Sequence, residues 1–502
     1  MQPEQDAPEE EAEMSMGEAL IEAIPDLEER RDQARARLLE MLREADRPDL
    51  VAQAALTYQI NDPETFKESE NERQPSHLEY LALQAAGIGL AVGIRVDTPP
   101  AELTSQTGEA MYLVQEIFAL SQVLLPVRSA REVLKVKDEP STLDEFQTGA
   151  RLHSMTVRGS GYVEHLDRVA FGCLDPIEDD CRRLLGFTAR EAIQLYDAVE
   201  SLWHSRVQEK AADAYEMVRG LPEFIKRLRR KGNKAPEGSP LEMLASLPPT
   251  QAKKTIAGMQ FTAMFSDSFA TASVAPQELA DVTGLDPGTA TAFLQAFTFD
   301  EGDYDEGYHA YPYGSQPPTL TPIYAVGDRY LMPAPGTFRE TLRPRMEDLL
   351  KADEGAWGRY RDIRSRFVED ESTRILSQML PGSRLWTRLV WRSDTTQGEL
   401  DGLVACDDVA LRIQAKSGRI SKSARRGSPD RIIKDLKEQI GEASEQHQAL
   451  TQALAESSCE SIGIEPQACA ALALPVQIEV IVTLDQINPW SLNITRCVMF
   501  CH

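Results

Sequence analysis

Two short runs of this sequence carry the residue types that hydrolysis of a phosphodiester needs. Glu399-Leu-Asp401-Gly-Leu-Val is followed by Arg412-Ile-Gln414-Ala-Lys416-Ser, with 13 positions from Asp401 to Gln414. Cutting a phosphodiester takes a water made nucleophilic and neutralisation of the charge that develops on the phosphate. A bound Mg²⁺ ion does both. Mg²⁺ wants hard oxygen ligands in octahedral geometry and keeps several waters. Asp401 offers a carboxylate, Gln414 an amide oxygen and Ala415 its backbone carbonyl. Lys416 is a compact cation that can lower the pKa of the attacking water or offset charge on the phosphate. Glu399 is a secondary candidate for orienting water or holding a second ion, and Mn²⁺ is a possible substitute for Mg²⁺.

Those residues need elements to hold them. The pattern predicts a helix over 357–380, strands over 385–392, 399–406 and 409–416, a basic loop, a long helix over 430–455 and a strand over 476–484. Alternation along 409–416 puts Val409, Leu411, Ile413 and Ala415 on one face, and Arg412, Gln414 and Lys416 on the other. Glu399 and Asp401 share a face of the partner strand. A tight turn at Asp407-Asp408 joins the two strands, and twist or a bulge then converges Asp401 with Gln414 and Lys416.

This ordered set resembles the catalytic hairpin of the PD-(D/E)XK nuclease superfamily, and its Gln-Ala-Lys form resembles Mrr-type restriction endonucleases. The resemblance covers about 120–150 residues. It implies a Mg²⁺-dependent DNA endonuclease acting in restriction or anti-phage defence, with double-stranded DNA as substrate. A homodimer or a defence-system partner protein is a further possibility it leaves open. Family helices before the hairpin often carry a Glu, matched by Glu371, which would join Asp401, Gln414 and the Ala415 carbonyl around the metal. A Gln on the following helix is matched by Gln446, with Gln439 second. Gln414 departs from the many members that have Glu there, leaving one negative charge fewer. An RNase on the same fold, or an inactive protein that binds nucleic acid or a partner, are the alternatives.

Charge bears on the substrate. The chain has 502 residues, with 53 Lys and Arg against 80 Asp and Glu, a net charge of −27. As a whole it is a poor polyanion binder. Between Lys416 and Lys437, however, eight cations stand against two aspartates, a local charge of +6. Screening over about 8 Å lets such a patch act locally, so Arg419, Lys422, Arg425 and Arg426 are the expected phosphate contacts.

The fold class expected is α+β: a mostly helical N-terminal region, then a C-terminal restriction-endonuclease-like α/β domain with a mixed sheet flanked by helices. The boundaries read as an acidic disordered tail over 1–14, a helical region over 15–299, a linker with a β-hairpin turned at Gly327-Asp328 and a helix over 300–355, and the nuclease-like domain over 356–502. Thr188 is the expected cap of a helix running past Tyr215. Residues 276–297 have helix-turn-helix spacing, but the second helix lacks Arg and Lys, which favours a scaffold role. Lys226–Lys231 with Lys234 form a second basic cluster, readable as a phosphate contact or as a solvated helix end. The longest charge-free apolar run, 80–94, is too short to span a bilayer. No secretion signal is visible, and seven scattered cysteines fit a reduced cytoplasm. Cys497-Val-Met-Phe-Cys501-His502 misses the haem-attachment spacing and lacks the partners of a zinc site.

Overall fold

The computed structural model describes residues 16–60, 75–90, 99–136, 142–156, 161–231, 240–305, 310–313, 319–485 and 487. The acidic tail over 1–14, Lys234, Cys497, Cys501 and His502 lie outside the described residues.

Helices fill most of the first 300 residues. The longest that the cap predicts runs Ala189–Arg219, and Thr188 and Glu191 close a reciprocal capping box at its start. Its buried stripe includes Ala192, Leu195, Val199 and Trp203, the three- and four-residue spacing that a single apolar face requires. Tyr196 on that helix stacks on Phe338 with ring centroids 4.9 Å apart. The helix-turn-helix is present as Pro276–Thr283 and Pro287–Ala296, joined through Gly284 in the left-handed region. Ala290, Phe293 and Leu294 of its second helix are buried, and Phe293 packs edge-on against Phe338. That helix is core scaffold.

One hydrophobic core runs from Ala34 to Tyr360. It takes in Ile323, Tyr324, Leu331, Phe338, Leu342 and Met346, so the hairpin and helix expected within 300–355 pack into the helical body. The expected hairpin pairs Tyr324–Val326 with Arg329–Leu331, and Ser273–Val274 adds a third strand. The helix segment Ala101–Arg131 has the length and apolarity of a membrane span, but 61% of its most apolar window is buried inside the fold. It packs there against the helices Ile24–Glu44 and Arg47–Ile60.

The C-terminal unit follows the expected order closely. A helix, Glu354–Met379 (the site helix), leads into the edge strand Arg384–Arg392, the aspartate strand Gln397–Cys406 and the lysine strand Val409–Lys416. These three are antiparallel neighbours, and the last strand, Val476–Thr483, lies parallel to the lysine strand. A parallel neighbour requires a crossover. Here the crossover is helical: Pro429–Leu436, a π-turn over Lys437–Gly441, then Glu442–Glu456 (the covering helix) and a short helix, Pro466–Leu472. Leu400, Leu403 and Ala405 pack with Leu450 and Ala453 of the covering helix on one sheet face. Gly402 lies under the site helix on the other, where a Cβ would fall 2.2 Å from Thr373 Cγ2. Only glycine fits there.

The cysteines depart from the all-reduced expectation. Cys459 and Cys469 form a disulfide with their Cα atoms 5.6 Å apart, because the turn after the covering helix brings back residues whose ten-residue spacing is no motif. Cys173 and Cys181 are buried thiols that burial pushes up to about 12.

The basic loop after Lys416 is the largest surprise. Ile420 and Ala424 share a small core with Phe146 and Ala150 of the helical region, and the loop's cations are spent on acids. Arg419 pairs with Asp348 at 3.0 Å and Glu347 at 3.3 Å, Lys422 with Asp348 at 3.2 Å, and Arg425 with Asp485 at 3.0 Å. Arg426 donates to the Lys422 carbonyl. Glu347 is fully buried, and also meets Arg343, Arg364 and the Tyr360 hydroxyl. Burial alone would raise the Asp485 carboxyl, but Arg343 and Arg425 outweigh it and hold it down at about 2. The expected phosphate track is therefore an interdomain clamp. Arg419→Ala should lower stability by about 3 kcal/mol, the lower end of the range for breaking a buried pair, since Glu347 keeps Arg343 and Arg364. Thermal melts check this. A melt like the wild type's would mean the clamp carries no load.

Candidate active site

The aspartate and lysine strands are paired from Cys406↔Val409 up to Gly402↔Ile413, and there the pairing ends. Leu400 and Leu403 both face the covering helix, so alternation breaks between them and Asp401 is left neither up nor down. Its carboxylate reaches across the split, where Oδ2 accepts the Ala415 N–H at 2.6 Å. Gln414 Nε2 donates to the Glu399 carbonyl at 2.7 Å. Two side chains thus take over backbone hydrogen bonds that a regular ladder would have supplied. Glu399 stays close enough for its charge to act on Asp401.

Asp401 sits in a field that resists its ionisation. Burial is the largest cause, and Glu369 and Glu399 add to it; the Ala415 N–H and Lys416 oppose them, and the carboxyl is raised to about 6. Lys416 is largely covered. Its Nζ donates to Gln446 Oε1 at 3.2 Å and lies 3.7 Å from Glu442 Oε2. Gln446 is thus brought to the lysine. Gln439 is instead packed over Gly418, with its Oε1 buried and unpartnered.

Glu371 is not brought to the site. Arg374 first, then Arg168 of the helix Val163–Leu174, hold its carboxyl below the usual carboxylate range. It lines a separate cleft of about 310 Å³ with Gly172, Phe367 and Arg374. Glu369 is the site-helix carboxylate that acts on Asp401. Packing places it there: Glu369 precedes Thr373 by four residues, one helical turn, and Thr373 lies over Gly402. Glu371 is two residues away, on a different face. Sequence reading also missed Arg388, which pairs with Asp370 at 2.9 Å and Glu369 at 3.5 Å.

Among the described residues, no three or more His, Cys, Asp or Glu side chains lie close enough together to hold a metal ion. Mg²⁺ does not need such a cage, because it is held by one or two carboxylates, waters and substrate phosphates. Asp401, the Ala415 carbonyl and the amide oxygen of Gln414 (its nitrogen being committed to Glu399) are hard donors that fit it. A carboxyl raised by burial and by neighbouring carboxylates, as Asp401 is, is the electrostatic setting a cation relieves. No protein-family model, no curated protein and no solved structure matches this chain.

Proposed function

We propose that the C-terminal unit hydrolyses nucleic-acid phosphodiester bonds with Mg²⁺, Mn²⁺ being a substitute, and that duplex DNA is its substrate. One observation carries the reading: helix, three antiparallel strands, helical crossover and parallel strand meet where the central strands split, and that split holds Asp401, Gln414, Lys416 and Gln446. Bound at Asp401, the metal would supply an activated water and charge neutralisation. Asp401, the Ala415 carbonyl and the Gln414 amide oxygen would hold it and Glu369 would help neutralise it; the Gln414 amide nitrogen closes the gap in the ladder, and Gln446 aims the Lys416 ammonium. The role in restriction or anti-phage defence is part of the proposal and rests on the PD-(D/E)XK resemblance; the cytoplasmic setting is part of it too and rests on the sequence composition alone.

A second reading has its own support. The hydrogen bonds of Asp401 and Gln414 close a gap in the ladder, which is what a purely structural polar pair would do in a protein that binds nucleic acid or a partner without cutting. Incubation with supercoiled DNA and with structured RNA, with and without Mg²⁺, separates the readings. Mg²⁺-dependent nicking of DNA supports the first, cleavage of RNA alone makes the enzyme an RNase, and no cleavage of either removes the catalytic reading.

The two helix carboxylates give a sharper check. Glu369→Gln should lower cleavage by about 10–100-fold, the usual cost of losing a group that supports a metal ligand. Glu371→Gln should leave cleavage near the wild-type rate, because it loses only partly exposed ion pairs. The reverse pattern would restore Glu371 to the site.

A further inference from the structure

We infer that Arg388 is a phosphate-binding residue of this site, held in reserve on the Glu369 and Asp370 carboxylates until a polynucleotide backbone arrives. The inference rests on the reading under Proposed function and adds to it the residue that meets the substrate. Arg419, Lys422 and Arg425 are paired with acids of the interdomain clamp, and Arg388 is a further cation set beside the carboxylates of the split.

Backbone geometry singles Arg388 out. Three non-glycine residues among those described have positive φ: Asp267, Asp407 and Arg388. Aspartate tolerates the left-handed region because its short side chain bonds locally; an arginine inside a strand does not gain that. Arg388 nonetheless has φ of 54° in the middle of the edge strand. The register shows what the strain accomplishes. Thr387 pairs with Gly402 and Leu389 with Leu400, while Arg388 and Asp401, which would face each other, drop out of the pairing. The same kink that turns Asp401 into the split therefore turns Arg388 out of the sheet toward the site helix. Backbone strain held in place by the surrounding fold is a feature of functional positions.

Its partners fit a residue in reserve. The guanidinium lies 3.5 Å from Glu369 Oε2 and 2.9 Å from Asp370 Oδ1, and the side chain is 46% exposed. Such an exposed pair is weak. A phosphate offers the same fork a bidentate, doubly charge-assisted contact. Transfer to phosphate would also free Glu369, the carboxylate that bears on Asp401, so arrival of the substrate and completion of the metal-binding carboxylates become one event. The shared ligand chemistry is the phosphodiester backbone, which DNA and RNA both present.

Arg388→Gly is the informative variant, since glycine adopts the same φ without strain and removes the whole side chain, guanidinium included. Binding of matched DNA and RNA duplexes is measured by fluorescence anisotropy in EDTA, across a salt series. Wild type should bind, and the variant should bind about tenfold more weakly, the lower end for a hydrogen bond to a charged group. The slope of log affinity against log salt should be shallower by about 0.9, one phosphate contact. Arg388→Lys should recover the slope and only part of the affinity. Loss on both duplexes places the contact on the backbone, and loss on one alone assigns the substrate to that polymer. If Arg388→Gly binds with unchanged affinity and slope while the wild type still cleaves, Arg388 is a structural residue and this inference falls alone. Should wild type neither bind nor cut any polynucleotide, the proposed function falls and takes the inference with it.

Discussion

Lys416→Ala should abolish cleavage, with a loss of at least about 10²–10³-fold, and leave the fold almost untouched. The size follows from its place. Lys416 is the one cation among the groups that shift Asp401, and removing one charge-stabilising donor in a water-excluded site costs about that much. The small effect on stability follows from its partners: one neutral amide at 3.2 Å and one half-exposed carboxylate at 3.7 Å. Together these amount to about 1 kcal/mol or less. Lys416→Arg should rescue poorly, because a planar fork cannot replace a point charge aimed by Gln446. Gel assays of nicking alongside thermal melts test both halves. Retained cleavage would remove the lysine from the chemistry, and a large fall in melting temperature would make it a structural residue.

Sequence made the C-terminal unit legible because its elements are short and their patterns do not conflict. Strand bounds over 409–416 coincide with those observed, and the helix before the hairpin differs by three residues at its start and one at its end. What escaped was set by partners distant in the chain. The loop from Lys416 to Gly427 has the composition of a free basic patch. Its neutralisation depends on Glu347, Asp348 and Asp485, and no local pattern announces acids some 60–80 positions away. Periodicity likewise carries two glutamates as far as one helix but needs the packing of Thr373 on Gly402 to choose between them. The kink at Asp401 and Arg388 is hidden for a further reason. Neither residue type signals a bulge, and the alternation it breaks, Leu400 to Leu403, reads as an ordinary apolar strand.

Asp401→Asn should abolish cleavage and at the same time make the protein more stable, by a margin that builds from about pH 4 and is full above about pH 6. The amide keeps an oxygen to accept the Ala415 N–H, so the split in the ladder stays closed. What it removes is charge. The Asp401 carboxyl, raised from 3.8 to about 6, binds its proton more tightly folded than unfolded. Stability contributed by that proton is full below about pH 4, where both states are protonated, and is lost as pH rises through 6. Above that point the wild-type fold holds an ionised carboxylate against burial and two neighbouring glutamates, a burden the asparagine variant does not have. Melting temperatures at pH 8 should therefore favour the variant by a few degrees, and the two proteins should converge at pH 4. Mg²⁺ should narrow the gap at pH 8 by stabilising the wild type alone, since a ligand that binds only the folded chain raises its stability by mass action. A variant that melts lower than wild type at pH 8 would mean that the carboxylate is held by its partners and not opposed by them. The site would then be a structural polar pair, bearing the residues of a nuclease without the electrostatic strain that a metal relieves.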